Sequence, residues 1–457
     1  MPGPWTITVE MGLSVDNKVR TAFFTRHGAL SRGAPHATNP ALVCIDLSAV
    51  LRNSFPALGP GNHPPSALAH LVLRKYVEPF TTASTIVVAF DTYNDDDLHP
   101  LRIQMHSQVR HRKATEAELA AVDPAKQVVV NGRIHTKGQQ PYPDAEVEKW
   151  AVYTRVDPQR AVAGRKGKLK LYGLVLAAMV REVAEYVARP NTAAAEDRTV
   201  IFDTPATCTD PRSVILVHQA GDVVTVREET RLSMIGRHGE ADQKVAAYLA
   251  TNREKAAVWA TADYDAVAQC MCLELSNVSV CYTAPRKDKD RQAQIISMAK
   301  LPLGTAAAFG MLRDGCDYCR SAKVFNVHSE HILEALEAGG QPIWLDGGQL
   351  ELDQEALFAL IRAGKGPLKR KRKIYQLADA EDEGEYFLSN ASAQQQHAGR
   401  AVVHREPSSA QFHRSIHEAV RTIAYWLYAG TPDSTTRPAM DLGGIRWDTD
   451  SASADTL

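Results

Sequence analysis

The stretch ATADYD (260–265) closes an apolar run with two carboxylates, Asp263 and Asp265, one residue apart. Like charges about 4 Å apart repel by roughly 4 kcal/mol at an effective dielectric near 20. Such a pair costs stability unless solvent, a proton, a basic side chain or a metal ion neutralises it. A second pair, Glu240 and Asp242, opens the amphipathic stretch HGEADQKVAAYLA (238–250), where a helix start favours anionic side chains by about 0.3–1 kcal/mol. Asp314 and Asp317 stand in the glycine-containing turn of MLRDGCDYC (311–319), and Asp46, Asp91 and Asp203 each end a short apolar run. Taken singly, these are helix-start, turn and strand-end residues. They become chemistry only if the fold delivers them to one place.

The elements that would do so are visible as a pattern. ALVCID (41–46), STIVVAFD (84–91), TVIFD (199–203) and AAVWATAD (256–263) are continuous apolar runs, as strands buried on both faces require. Helical stretches separate them: SALAHLVLRKYV (66–77), KLYGLVLAAMVREVAEYVA (170–188) and EADQKVAAYLATN (240–252). Strands alternating with helices predict an α/β fold with a largely parallel central sheet flanked by helices. Ligands of such sheets lie outside the carboxyl ends of the strands, so Asp46, Asp91 and Asp263 are expected at one edge. Beyond the last of these runs the pattern reads as helical, over 296–319, 329–340 and 353–366. An acidic, then Gln/Ser/Ala-rich segment (376–410) reads as a linker. It precedes an amphipathic helix at 412–430, within a C-terminal unit of 411–445, and a loose tail from 446.

Bulk properties set the class. The 457 residues suffice for two or three domains, and 44% apolar with 23% charged residues is ordinary globular composition. A net charge of -1 conceals basic clusters at 102–113, 160–170, 286–291 and 365–373, so it does not argue against a nucleic-acid partner. Seven scattered cysteines suit a reducing interior better than a disulfide framework. The first residues lack the basic and apolar regions of a signal peptide. The longest apolar stretch, LYGLVLAAMV (171–180), is too short to span a bilayer, so an intracellular protein with no membrane partner is expected.

In this order the acidic segments resemble the flap endonuclease/XPG family of structure-specific 5′ nucleases, whose catalytic domain is PIN-like. IDLSAV is similar to the family's first metal-binding motif and VVAFD to the strand supplying the second aspartate. GEADQKVAAYLA resembles its E-A-E-A helix, ATADYDAV its T-x-D-x-D segment, and LRDGCDYC its G-x-D-Y-C element. The resemblance covers roughly 40–325. It implies a nuclease domain at 41–325 with an arch and insertion at 92–198, preceded by an N-terminal extension (1–40) and followed by a helical part at 326–375. Carried over residue by residue, it implies that Asp46, Asp91, Glu240, Asp242, Asp263, Asp265 and Asp317 form the metal site. Oxygen donors without His or thiolate suit two Mg²⁺ ions, with Mn²⁺ as a substitute. The resemblance also implies that arch residues Arg102 and Arg110 grip the scissile phosphate, and it makes 160–170 a further phosphate-contacting loop. Asp203 and Asp314 match no motif and read as structural.

The chain departs from the family's pattern in three places. RSAKVFNVHSEHILEAL (320–336) lacks the glycines with which the family's helix–turn–helix approaches duplex phosphates. MGLSV (11–15) is internal rather than initial, and Arg52 stands where the family carries a stacking tyrosine, leaving Phe55 as the nearby aromatic. Cys270, Cys272, Cys316 and Cys319 have poor spacing for structural zinc. The basic run Lys369–Lys373 reads as a nuclear-import signal, a phosphate strip or a solvated face. The expected activity is Mg²⁺-dependent hydrolysis of DNA phosphodiesters at flaps, junctions or 5′ ends, the chemistry of replication and repair. RNA as the substrate, or a catalytically silent nucleic-acid-binding protein, are the alternatives.

Overall fold

The central apolar runs do form strands, and their side chains alternate between two cores. The computed structural model describes residues 17–33, 38–91, 114–152, 154–188, 197–203, 213–230, 240–282, 293–312, 316, 343–346, 349–353 and, in the last helix, 419–420, 422–424 and 426–427. Strands β1 (Leu30–Arg32), β2 (Leu42–Asp46), β3 (Thr85–Ala89), β6 (Asp197–Asp203), β7 (Ser213–Ala220), β8 (Val223–Thr230), β9 (Ala257–Thr261), β10 (Val278–Tyr282) and β11 (Gln294–Ser297) make one nine-stranded sheet. Between β3 and β6 in sequence, β4 (Gln127–Val130) and β5 (Arg133–Thr136) form a separate hairpin. The order across the large sheet is β1-β11-β10-β9-β2-β3-β6-β7-β8. The middle strands β10, β9, β2, β3 and β6 are parallel, whereas β11 and β1 on one side and β7 and β8 on the other are antiparallel. The sheet is therefore mixed, with its parallel part in the centre.

Along β2, Leu42 and Cys44 face one core while Val43 and Ile45 face the other; β9 repeats this with Ala257 and Trp259 against Val258 and Ala260. This is the period-two alternation of a strand covered on both sides. One face carries helices α1 (Asn17–Arg26), α5 (Ala241–Ala250), α6 (Asp265–Cys272) and α7 (Thr305–Leu312). The other carries α2 (Leu47–Leu58), α3 (Pro65–Val72, continued as a π-helical turn through Val77) and the 23-residue α4 (Arg165–Val187). Two of these starts have a local cause: Asp46 caps α2 by accepting the Ala49 N–H, and Pro65 at the first position of α3 brings a pre-set φ. Among the described residues, no helix is long and apolar enough to cross a membrane.

Several sequence expectations need correction. The helix expected over 296–319 starts only at Thr305; Gln294–Ser297 is strand β11, followed by a 3-10 turn at Met298–Lys300. Pro302, and Gly304 at φ 110°, stop a helix from running through this stretch. The region after 263 is not purely helical either, because β10, β11 and the hairpin β12 (Ile343–Asp346) and β13 (Gln349–Leu352) lie there. Residues 160–170 are not a loop: Pro158–Ala163 is a short helix and α4 begins at Arg165. Segments 17–26 and 30–32, within the expected extension, pack Phe23 and Phe24 into the core and pair β1 with β11.

The described turns of the last helix also belong to the core. Val420, Ile423 and Trp426 join the cluster that contains α5, α6 and α7, and the Cys272 thiol donates to the Ile423 carbonyl at 3.8 Å. Trp426 is 1% exposed. Trp426→Ala is therefore expected to destabilise the whole fold by about 3–5 kcal/mol, measured as a lowered urea midpoint. An unchanged midpoint would show that the helix packs independently of the sheet.

Candidate functional site

The site is built from ends of elements. β2 is central; β3 and β6 follow on one side and β9 and β10 on the other, so the strand order reverses beside β2. Crevices outside the carboxyl ends of strands at such a reversal are where open α/β sheets bind ligands. Asp46 is the last residue of β2 and also the cap of α2. Its Oδ1 accepts the Ala49 N–H at 3.1 Å, and its Oδ2 accepts the Thr261 hydroxyl, from the end of β9, at 3.3 Å. Asp91 lies two residues beyond β3. Its N–H donates to the Ser48 hydroxyl at 2.9 Å, its Oδ1 accepts the Ala241 N–H of α5 at 3.2 Å, and its Oδ2 accepts Lys168 Nζ at 3.1 Å. A carboxylate from just beyond β3 thus satisfies one of the orphan N–H groups that open α5.

Glu240 is the residue before α5 and Asp242 lies in its first turn. Gln243 Nε2 donates to Glu240 Oε2 at 3.0 Å, and Gln269 Nε2, from α6, donates to Asp242 Oδ2 at 2.9 Å. After β9 the Thr261 hydroxyl accepts the Asp263 N–H at 3.1 Å, and Asp263 Oδ1 accepts the Asp265 N–H at 3.1 Å, a local turn that leads into α6. Asp46, Glu240 and Asp265 are buried; Asp91, Asp242 and Asp263 are partly exposed.

These charges sense one another. Burial holds the Asp46 carboxyl well above the usual carboxylate range, and Asp91, Asp242 and Asp263 push it further up, against the lowering effect of the Ala49 N–H. The structure therefore brings together Asp46, Asp91, Asp242 and Asp263, with Glu240 and Asp265 two residues along the chain from Asp242 and Asp263. Asp317, Arg102, Arg110 and Asp314 lie outside the described residues. Phe55 is not open for stacking, because it is buried in the core formed by α2, α3 and α4. Cys44, Cys270, Cys272, Cys281 and Cys316 are buried thiols of the core, and burial pushes Cys281 up to about 12.

The oxygen donors suit a hard divalent cation in type. As the side chains stand, however, both oxygens of Asp46 and of Asp91 are taken by protein donors. Among the described residues no group of three or more His, Cys, Asp or Glu side chains is arranged to hold a metal ion.

Two lysines escaped the sequence reading. Lys168, in the first turns of α4, reaches Asp91, and Lys244, on α5, forms a fully buried ion pair with Asp203 at 2.6 Å. Lys244 Nζ also donates to the Phe90 carbonyl at 3.0 Å, and Asp203 Oδ2 accepts the Phe90 N–H at 3.1 Å. Position Lys244 carried a signal, since it falls on the apolar face of α5 with Ala241, Val245 and Leu249 nearby.

Two expectations follow. Lys244→Met leaves a buried Asp203 charge and should cost about 3–5 kcal/mol in urea unfolding, and adding Asp203→Leu should recover only part of it, because the buried Phe90 N–H and carbonyl stay without their partners. Asp46 has its folded-state pKa raised, so its stabilising contribution is complete below the unfolded value and is lost as pH rises through the folded one. In the metal-free protein this contribution of Asp46 should therefore be lost from about pH 4 upward. Asp46→Asn, which keeps the cap, should flatten that slope and raise stability at pH 7.5 by about 1 kcal/mol, read from unfolding curves in chelator.

Compared with known proteins, the chain matches no protein-family model and no curated protein at a significant level of similarity.

Proposed function

We propose that this chain is a divalent-metal-dependent nuclease with a PIN-like catalytic domain, acting on DNA at flaps, junctions or 5′ ends. The observation that carries the reading is the convergence of acidic residues from four segments beside the reversal point of the sheet: Asp91 accepts the N–H of Ala241, which stands between Glu240 and Asp242, and the Thr261 hydroxyl links Asp46 to the backbone of Asp263. Asp91, Asp242 and Asp263, from three other segments, all repel the Asp46 charge at the reversal point of the sheet. Folding stability alone does not favour such a concentration of negative charge, whereas cation binding does. Bound Mg²⁺ or Mn²⁺ supplies Lewis-acid stabilisation of the charge that develops on the phosphoryl oxygens and lowers the pKa of a water. The chain's own part is positioning. Asp46 and Asp263 hold the β2–β9 side, Asp91, Glu240 and Asp242 the β3–α5 side, and Asp265 with Asp317 is proposed to complete the donor set. Arg102 and Arg110 are proposed to orient the phosphate.

A second reading, nucleic-acid binding without turnover, has one observation in its favour: the Asp46 and Asp91 oxygens are already engaged by protein donors. Cleavage assays on 5′-flap DNA, single-stranded DNA and RNA, with Mg²⁺, with Mn²⁺ and with chelator, separate the two. The expected result is metal-dependent cutting, abolished by the Asp263→Ala/Asp265→Ala double variant while substrate binding persists. Cutting that survives in the double variant removes the site assignment. Binding without cutting by the intact chain establishes the second reading, and preferential RNA cutting reassigns the substrate.

A further inference from the structure

Lys168 sits where a lysine is electrostatically unwelcome. Helix α4 opens Arg165-Lys166-Gly167-Lys168-Leu169-Lys170, with no acidic residue in its first turn. The positive end of a helix dipole disfavours cations by about 0.3–1 kcal/mol each, so this start needs anions from elsewhere. Lys166 finds Asp144 and Glu148 at the surface, at 3.5 and 3.1 Å. Lys168 instead turns inward to Asp91, at 3.1 Å, with both side chains more than four-fifths buried.

The placement is close-packed. A Cβ on Gly167 would come within 2.5 Å of the Ala161 carbonyl oxygen, so the start of α4 is seated directly on the backbone of the Pro158–Ala163 helix. Lys168 Nζ also lies 5.4 Å from the ring centroid of Tyr172, one turn along α4, and that ring packs against Phe90 at 5.7 Å, next to Asp91 in the chain.

We propose that Lys168 is a built-in counter-ion of the acidic site, a positioning residue whose ammonium holds Asp91 in the absence of a divalent ion and must give up Asp91 Oδ2 when one binds. The inference rests on the metal-site reading above and deepens it. Metal affinity is then set by a competition between the ion and an internal ammonium. Asp91 then has a cationic partner in both states.

The test is Mn²⁺ binding by the full-length chain, followed by the loss of the free-ion electron paramagnetic resonance signal, for the wild type, Lys168→Gln and Lys168→Arg. Removing the competitor should tighten Mn²⁺ binding roughly tenfold in Lys168→Gln. Lys168→Arg, with a forked guanidinium that holds a carboxylate more firmly, should bind Mn²⁺ several-fold more weakly than the wild type. The Lys168→Arg arm decides the matter if Lys168→Gln does not fold. Unfolding temperatures in chelator, recorded alongside, detect a purely structural role, which would lower stability with no change in Mn²⁺ affinity. Equal affinities across the three proteins, or weaker binding in Lys168→Gln, overturn the inference and leave the metal site standing. No Mn²⁺ binding by any folded protein of the set overturns the metal site and the inference together.

Discussion

The clasp that Lys244 and Asp203 form around Phe90 is the constraint on which the acidic edge depends. Phe90 lies just past the end of β3, where its backbone N–H and carbonyl have left the ladder and are fully buried. Buried backbone groups without partners are costly. Asp203 takes the N–H and Lys244 takes the carbonyl, and the two charges neutralise each other. Burying two ions costs several kcal/mol of desolvation each, which their attraction only roughly offsets. What the pair contributes is position. It joins the ends of β3 and β6 to the first turns of α5, and so fixes Asp91, one residue after Phe90, against Glu240 and Asp242, four and two residues before Lys244.

Around that clasp, repulsion is moderated by dipoles as well as by opposite charge. Asp91 receives a helix N–H and an ammonium, Asp46 a cap N–H and a hydroxyl, and Asp242 and Glu240 a glutamine amide each. Every one of these donors belongs to a neighbouring element or to the first turn of the helix being capped. The same contacts that hold sheet and helices together therefore hold the carboxylates apart from one another's lone pairs. Asp46 remains the exception, buried and raised in proton affinity by three like charges. Sites that bind or catalyse commonly keep such groups at the expense of stability.

What the sequence made legible was whatever short-range pattern encodes. Apolar runs ending in Asp predicted the strands, and the parallel order then placed Asp46, Asp91 and Asp263 together. The same rule could not separate Asp203 from them, since Asp203 ends a run of the same kind and differs only in facing Lys244, 41 residues away in sequence. Lys168 was hidden because a basic, glycine-containing run resembles a loop; the contact between Gly167 and the preceding helix, which explains both glycine and helix, is tertiary. The antiparallel flanks were missed for a related reason. β11 is four residues long and precedes Pro302, and its pairing with β1 joins residues more than 260 positions apart. The hairpin β12–β13 did carry a readable cue, the Gly347-Gly348 pair between two short alternating runs.

The docking of Ile423 against Cys272, 151 residues upstream, has a consequence for how the chain is made. Contacts this distant in sequence form late, because the entropy of closing the loop is paid before any burial is gained. During synthesis, the cluster around α6 and α7 stays open on one side until about residue 427 has left the ribosome. By then the whole acidic edge has long since been translated. Nascent chains of this protein therefore pass through a period in which Trp259, Met271 and Phe309 belong to an unfinished interior, and a chaperone that shields apolar surface has its natural opportunity then.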